Sequence, residues 1–476
     1  MPSLASFRDP GGFCFIQDKR FFRAVGSDAV AEIEPFLDSD TAKGWIESRQ
    51  LVASRRLEAA EKDRTLRQSD FRQLLNEQSI EAVFEHERVE FPSYPYEWAP
   101  EMLHAAGVLT LDLAQSALKE GYCLKDASPY NILFRGSNPI FIDLLSFERR
   151  DPCDPVWKPH SQFCRTFLLP LLANKFWGVR LADIFGTRRD GLEPLEVYRL
   201  CSAMQKLQRP LVSLVSLPVW LSRKTIKSAT YRDRLLKNPE KAKFILAASI
   251  RRLRRILYSL SPAKDAKSHW THYSESHSYS EESFKAKEEF LSGFLRDATP
   301  GRILDVGANT GHFSALACRH NADVVAIDSD AACIGILWNR AISENLNILP
   351  LVVDISRPSP AKGWRNSECQ RFLDRAGGAF DAVLMFGVLH HLLVTERIPL
   401  KEVLNLAGEL TNKYLVIEFV APQDDMFRVI ARGRDALYST LTRERFEAEC
   451  ERIFALVGSR QIPGMNRWIY ILKKLS

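Results

Sequence analysis

Short apolar runs alternate with longer amphipathic segments between residues 300 and 420. The runs are 302–306 (RILDV), 322–327 (ADVVAI), 348–353 (ILPLVV), 380–386 (FDAVLMF) and 414–420 (YLVIEFV). Runs of five to seven residues, separated by helix-length stretches, predict strands buried on both faces of a parallel sheet. The implied fold class is α/β, Rossmann-like and doubly wound. After the first run comes Gly307-Ala308-Asn309-Thr310-Gly311, then an apolar-periodic segment over 312–318. This reads as strand, tight turn, helix. Glycine at 307 and 311 permits a close backbone approach, and the helix beyond aims free N–H groups and a positive dipole end at a ligand.

Acidic residues stand where these runs end. Asp328 follows the second, Asp354 the third, and Glu418 lies within the fifth. Ligands of open α/β sheets bind outside the carboxyl ends of the strands, and an acid at the second of them suits ribose hydroxyls. A glycine-rich turn alone would fit a dinucleotide fold equally well, and each acid could instead cap a helix. The order of all five elements argues further.

Asp305-x-Gly307-x-x-x-Gly311, with Asp328, Asp354 and FDAVLMFGVLHHL, resembles the class I S-adenosylmethionine-dependent methyltransferases. A dehydrogenase would more often carry G-x-G-x-x-G, where this chain has Asn309 and His312. The resemblance implies S-adenosylmethionine as methyl donor. The backbone around Gly307 would approach its methionine portion, Asp328 would hold the ribose, Asp354 and Ile355 would flank the adenine, and Asp305, Asn309, Gly311 and Phe386 would also bind the cofactor. A segment before the first strand often folds over the cofactor in this family, which would bring Tyr279 and Lys287 to the pocket. The segments YPYEWAPEMLHAAGVLTLDLAQSALKEGYCLKDASPYNILF, PIFIDLLSFE, QFCRTFLLPLL, PSPAKGW and HHLLVTERIPL are similar to bacterial methyltransferases related to a rhizobial nodulation protein.

Methyl transfer needs an aligned acceptor, and a hydroxyl acceptor also gains from a general base. His390 and His391 follow the fourth run, where the acceptor enters such a fold, and Glu418 shares the rim; these three are the catalytic candidates. Packing of the strand end is the bland alternative for the histidines. Asp424 and Asp425 could bind a cationic acceptor or a metal, or simply balance the sulfonium. His269, His272 and His277 lack a nearby Cys or acid cluster, so no metal is expected in this domain.

Upstream, Asp126 is followed five residues later by Asn131, and Asp143 stands twelve residues beyond. The arrangement resembles protein kinases and aminoglycoside phosphotransferases, where a first Asp positions the hydroxyl and an Asn and a later Asp hold Mg²⁺. An α+β kinase-like N-terminal module follows, with Asp126 as base and Asn131 and Asp143 as Mg²⁺ ligands if the site is live. Two departures predict weak Mg-ATP binding or none: Leu144-Leu145 follows Asp143, and Arg23 occupies the strand where a phosphate-binding lysine is expected. Loop bracing is the bland reading of Asp126 and Asn131.

Length and charge complete the outline. The 476 residues suggest more than one domain, and 46% hydrophobic with 26% charged residues describes a globular chain. The expected divisions are 1–205, a basic, partly helical junction at 206–269, and 270–476. Residues 223–255 carry twelve Lys or Arg against Asp233 and Glu240. That stretch is a solvated helix face or a contact for anionic membrane. The net charge of +6 gives no nucleic-acid signal. Nine scattered cysteines, no apolar run of membrane-spanning length and a start without a secretory pattern predict a cytoplasmic bacterial protein, peripheral to the membrane if the basic stretch binds lipid. The leading expectation is a methyltransferase whose N-terminal module recruits the acceptor or regulates. The alternatives are a bifunctional methyltransferase and phosphotransferase, and a non-catalytic S-adenosylmethionine-binding protein.

Overall fold

Strands β9 (Arg302–Val306), β10 (Asp323–Asp328), β11 (Ile348–Val352), β12 (Phe380–Met385) and β13 (Thr411–Val420) lie parallel in one sheet. The computed structural model describes residues 11–68, 80–222, 235–262 and 281–475. Contacts divide the chain into two compact units. The first comprises Met1–Arg135, Pro139–Pro262 and Ala361–Cys369; the second comprises Gly136–Asn138, Ala263–Pro360 and Gln370–Ser476.

In the second unit the sheet has seven strands in the order β11-β10-β9-β12-β13-β15-β14. Here β14 is Phe454–Gln461 and β15 is Arg467–Lys474, and both pair antiparallel. The strand order reverses between β9 and β12, which makes their carboxyl ends the switch point where such sheets bind ligands. Ile303, Leu304, Val383 and Leu384 are wholly buried there, as expected for strands covered on both faces. Helices Glu281–Ala298, His312–Arg319, Ala331–Ser343 and Leu400–Leu410 supply the covering layers.

The first unit opens with a four-stranded antiparallel sheet in the order β1-β2-β4-β3: Gly12–Gln17, Arg20–Val25, Ala82–His86 and Ser54–Arg56. Phe13, Phe15, Phe22, Leu57 and Val83 form its apolar core. Helix α1 (Ser27–Leu37) follows β2, and the long buried helix α2 (Pro100–Ala117) follows the sheet. Two short antiparallel pairs come next: β5 (Tyr122–Leu124) with β8 (Phe147–Arg149), and β6 (Ile132–Arg135) with β7 (Asn138–Phe141).

Helix α3 (Pro239–Ser259), in the basic stretch, buries Leu246, Ile250, Leu253 and Leu257 at helical spacing and packs on α2. Gly107 of α2 admits this approach, because a Cβ there would meet Leu257 at 3.2 Å. Arg251, Arg252 and Arg255 stay exposed, while Arg254 pairs with Asp112 at 2.5 Å. Residues 361–369 also belong to this unit. Lys362 Nζ donates to the Gly186 carbonyl at 2.7 Å and lies over the Tyr96 ring.

Candidate active site

The turn after β9 is fixed by its own backbone. Gly307 and Ala308 donate to the Ile327 carbonyl at 2.8 and 3.0 Å, tying the turn to the neighbouring strand. Gly307, Asn309 and Gly311 all have positive φ, at 71°, 50° and 78°. A Cβ on Gly307 would stand 2.2 Å from Val388 Cγ2, and one on Gly311 would stand 2.0 Å from Leu337 Cδ1. Both glycines are therefore demanded by conformation and by space.

Asp328 is joined to this turn by hydrogen bonds. Its carboxylate accepts the Asn309 N–H and the Asp330 N–H, each at 2.9 Å. Burial raises its pKa, and lone pairs remain for hydroxyl donors. Asp305 faces inward instead and accepts the Ser314 hydroxyl at 2.5 Å. Burial pushes its carboxyl up to about 6, against that hydrogen bond. Asp354 sits just past β11 and accepts from the Ser356 N–H, the Ser356 hydroxyl and Arg357. Burial works to raise its pKa, but these donors outweigh it and hold the carboxyl below its usual range. Ile355 follows, partly exposed. Phe386 is buried and stacks on Phe313 with ring centres 4.3 Å apart, closing the gap between β12 and the helix after the turn.

A charged cluster lies behind this rim. Lys287 Nζ and the Gly387 N–H both donate to Glu418 Oε2, at 2.7 and 3.0 Å. Arg467 makes a two-pronged contact with Asp424 at 2.8 and 2.9 Å, and its Nη1 lies 3.5 Å from Glu418 Oε1. Lys287, Glu418, Asp424 and Arg467 are all buried. Burial pulls the Lys287 ammonium down to about 8, against the pull of Glu418. Their charges cancel in pairs, so Glu418 and Asp424 already have cationic partners. Asp425 instead begins the helix Asp425–Ala431, which Asp424 caps by accepting the Met426 N–H.

The two histidine rings meet at 4.3 Å between centres, tilted by 40°. His390 is buried, and among the described residues neither ring nitrogen has a hydrogen-bond partner. Burial, then His391, Arg467 and Lys287, hold its pKa well below the usual imidazole value. His391 is partly exposed, and burial with Arg467 lowers its pKa too. Both rings are neutral bases at pH 7.

Sequence reasoning missed Arg467, Ser314 and Phe313, because nothing in the local pattern marks a buried arginine on β15 or a serine that reaches back to β9. Tyr279 and the histidines at 269, 272 and 277 lie outside the described residues. Among the described residues no group of three or more His, Cys, Asp or Glu side chains is placed to hold a metal ion.

The first unit gathers a second polar cluster. Asn131 Nδ2 donates to Ser146 Oγ at 3.1 Å, and that hydroxyl donates to Asp143 Oδ2 at 2.5 Å. Arg23, buried on β2, places Nη2 2.9 Å from Asp143 Oδ1. Asp126 accepts from the Gln162 amide at 2.6 Å and the Ser128 N–H at 3.0 Å.

The doubly wound sheet and its glycine turn define the class. Residues 277–445 match the family described as "Methyltransferase domain", and the protein is an S-adenosylmethionine-dependent methyltransferase. Over 476 residues the chain is 30% identical to the nodulation protein NoeA of Rhizobium meliloti (strain 1021), covering 98% of this chain and 95% of that one. The chain belongs to the NoeA family. Solved structures with a similar fold include the N-methyltransferase NodS from Bradyrhizobium japonicum WM9, at 15% identity and a TM-score of 0.31, covering 41% of this chain and 97% of that one. Magnesium protoporphyrin IX methyltransferase (ChlM) from Synechocystis PCC 6803 is another, at 15% identity and a TM-score of 0.30, covering 40% of this chain and 84% of that one. Among the described residues no helix is long and apolar enough to cross a membrane.

Proposed function

We propose that the second unit methylates a small hydroxyl-bearing or acidic acceptor at the rim formed by residues 386–391, with His391 taking the proton. One observation carries this reading: Val388 packs against Gly307, so the histidine loop and the cofactor turn share one wall. Bound S-adenosylmethionine supplies an electrophilic methyl group on a sulfonium. The backbone turn at Gly307 would approach its methionine portion, Asp328 would accept its ribose hydroxyls, and Asp354 and Ile355 would border its adenine. Asp305 braces the turn through Ser314. His391 reaches the surface as a neutral imidazole, so it can accept a proton as the acceptor oxygen attacks. His390 packs behind it, and burial first, then Arg467, keeps both rings neutral.

We assign the first unit a kinase-like fold with a degenerate site and a role in acceptor recruitment or regulation. Support comes from Asn131 and Asp143 meeting across Ser146 while Arg23 supplies the positive charge beside Asp143 that Mg²⁺ would bring. A guanidinium held there competes with Mg-ATP, which disfavours the bifunctional reading.

The test is isothermal titration of the full chain with S-adenosylmethionine, followed by transfer of labelled methyl groups into fractionated cell extract. Wild type should bind the donor and label a small acceptor, and Asp328→Ala should do neither well. Tight donor binding without labelling in any fraction would favour the non-catalytic reading.

A further inference from the structure

More than half of the exposed large hydrophobic side chains among the described residues fall between residues 195 and 258. One group sits on a single helical assembly of the first unit. Pro194–Leu200, Gln205–Leu207, Val212–Ser216 and Leu217–Ser222 pack on one another. Its inner face is complete, since Val197, Cys201, Leu211, Leu214, Val215 and Val219 are buried. Leu200, Met204, Leu207, Leu217 and Trp220 are therefore surplus to the core and point outward, with Met204 73% and Leu207 70% exposed. An apolar group of this kind on a folded surface marks an interaction site.

Charge identifies the occupant. Over residues 199–222 the described chain holds three cations, Arg199, Lys206 and Arg209, and no acid. Lys206 lies over the Tyr198 ring at 4.2 Å, and the Trp220 indole N–H donates to the Tyr198 hydroxyl at 3.2 Å. A basic surface interleaved with Leu, Met and Trp matches a lipid interface, where apolar side chains enter the acyl boundary and cations meet anionic headgroups. A tryptophan whose polar edge is already satisfied suits the boundary between water and hydrocarbon.

We propose that this assembly, through Leu200, Met204, Leu207, Leu217 and Trp220 with Lys206 and Arg209, docks the protein on an anionic membrane surface. Contact then depends on shallow apolar insertion as well as on the charge of Lys206 and Arg209.

The experiment is co-sedimentation of the full-length protein with phosphatidylcholine vesicles and with equimolar phosphatidylcholine and phosphatidylglycerol vesicles. Wild type should pellet with the anionic vesicles, stay in solution with the neutral ones, and release as salt rises. Met204→Glu with Leu207→Glu should lower binding by about tenfold, as should Lys206→Glu with Arg209→Glu. Melting temperature and S-adenosylmethionine affinity should be unchanged in both. Three outcomes would overturn the proposal: no binding of wild type at low salt, equal binding of the Met204→Glu/Leu207→Glu variant, or self-association abolished by that variant in a protein that ignores vesicles.

Discussion

Lys287 and Glu418, 131 residues apart in the chain, meet at 2.7 Å with both side chains shut away from solvent. The pair joins the helix before β9 to the strand at the far side of the switch point, and the Gly387 N–H shares the same carboxylate oxygen. Removing Lys287 leaves the buried Glu418 charge with Arg467 at 3.5 Å as its remaining cationic neighbour. Lys287→Met should cost roughly 3–5 kcal/mol of stability. Lys287→Met with Glu418→Gln should recover much of that loss, because no unpaired charge remains. Denaturant titration of both variants checks this; equal losses would mean the carboxylate is not the source of the cost.

For Asp328→Ala, donor affinity should fall by roughly 1.5–3 kcal/mol, the worth of hydrogen bonds to a charged group. Calorimetry with S-adenosylmethionine reads it directly. Unchanged affinity in a folded variant would remove Asp328 from the site.

Gly311→Ala tests the turn. The backbone is left-handed there at φ 78°, and the added methyl group would collide with Leu337. A loss of roughly 1–3 kcal/mol is expected from the strained backbone and the overpacked methyl together. Donor binding should weaken in parallel, and a neutral effect on both would contradict the cradle.

The Asp305 carboxyl titrates at about 6 in the folded chain because burial penalises its charge. A folded value above the unfolded one means the folded state binds the extra proton between roughly pH 4 and 6, so this group's contribution falls as pH rises through that window. Asp305→Asn should therefore match wild type near pH 4 and gain stability relative to it above pH 6. Unfolding free energies across that range would show a pH-independent difference if the burial argument fails.

His390 offers a spectroscopic test. Burial first, then the adjacent His391, Arg467 on β15 and Lys287 on its helix, oppose a charge on its ring, with Glu418 and Asp424 already paired. Its ring proton signal should stay fixed from pH 8 down to pH 5.5. A midpoint near the ordinary imidazole value would overturn the buried, neutral assignment.

Much of this was legible in the sequence because its signals are local. Five apolar runs with helix-length spacing gave the parallel strands, and Gly307 and Gly311 announced a turn that only glycine permits. The strand ends shifted by small amounts. β13 begins at Thr411, ahead of the apolar run, because Thr411 already pairs with Phe380 of β12 before a register shift. β14 escaped notice because it lies at the sheet edge with most side chains exposed, so no alternation was needed to bury a face.

Two relationships arose only on folding. The motif residues of the first unit suggested a metal site, but Arg23, from a strand 120 residues earlier, stands beside Asp143. In the second unit the motifs supplied His390, His391 and Glu418 without saying that Lys287 and Arg467 would pair with the acids, or that burial, then Arg467, would keep the imidazoles uncharged. The sequence by itself determined the strands, the glycine turn and the acids at strand ends, because backbone conformation and hydrophobic period are properties of neighbouring residues. The tertiary structure decided which charges meet and which stay neutral, because in a buried site that depends on partners brought from distant elements into a low dielectric.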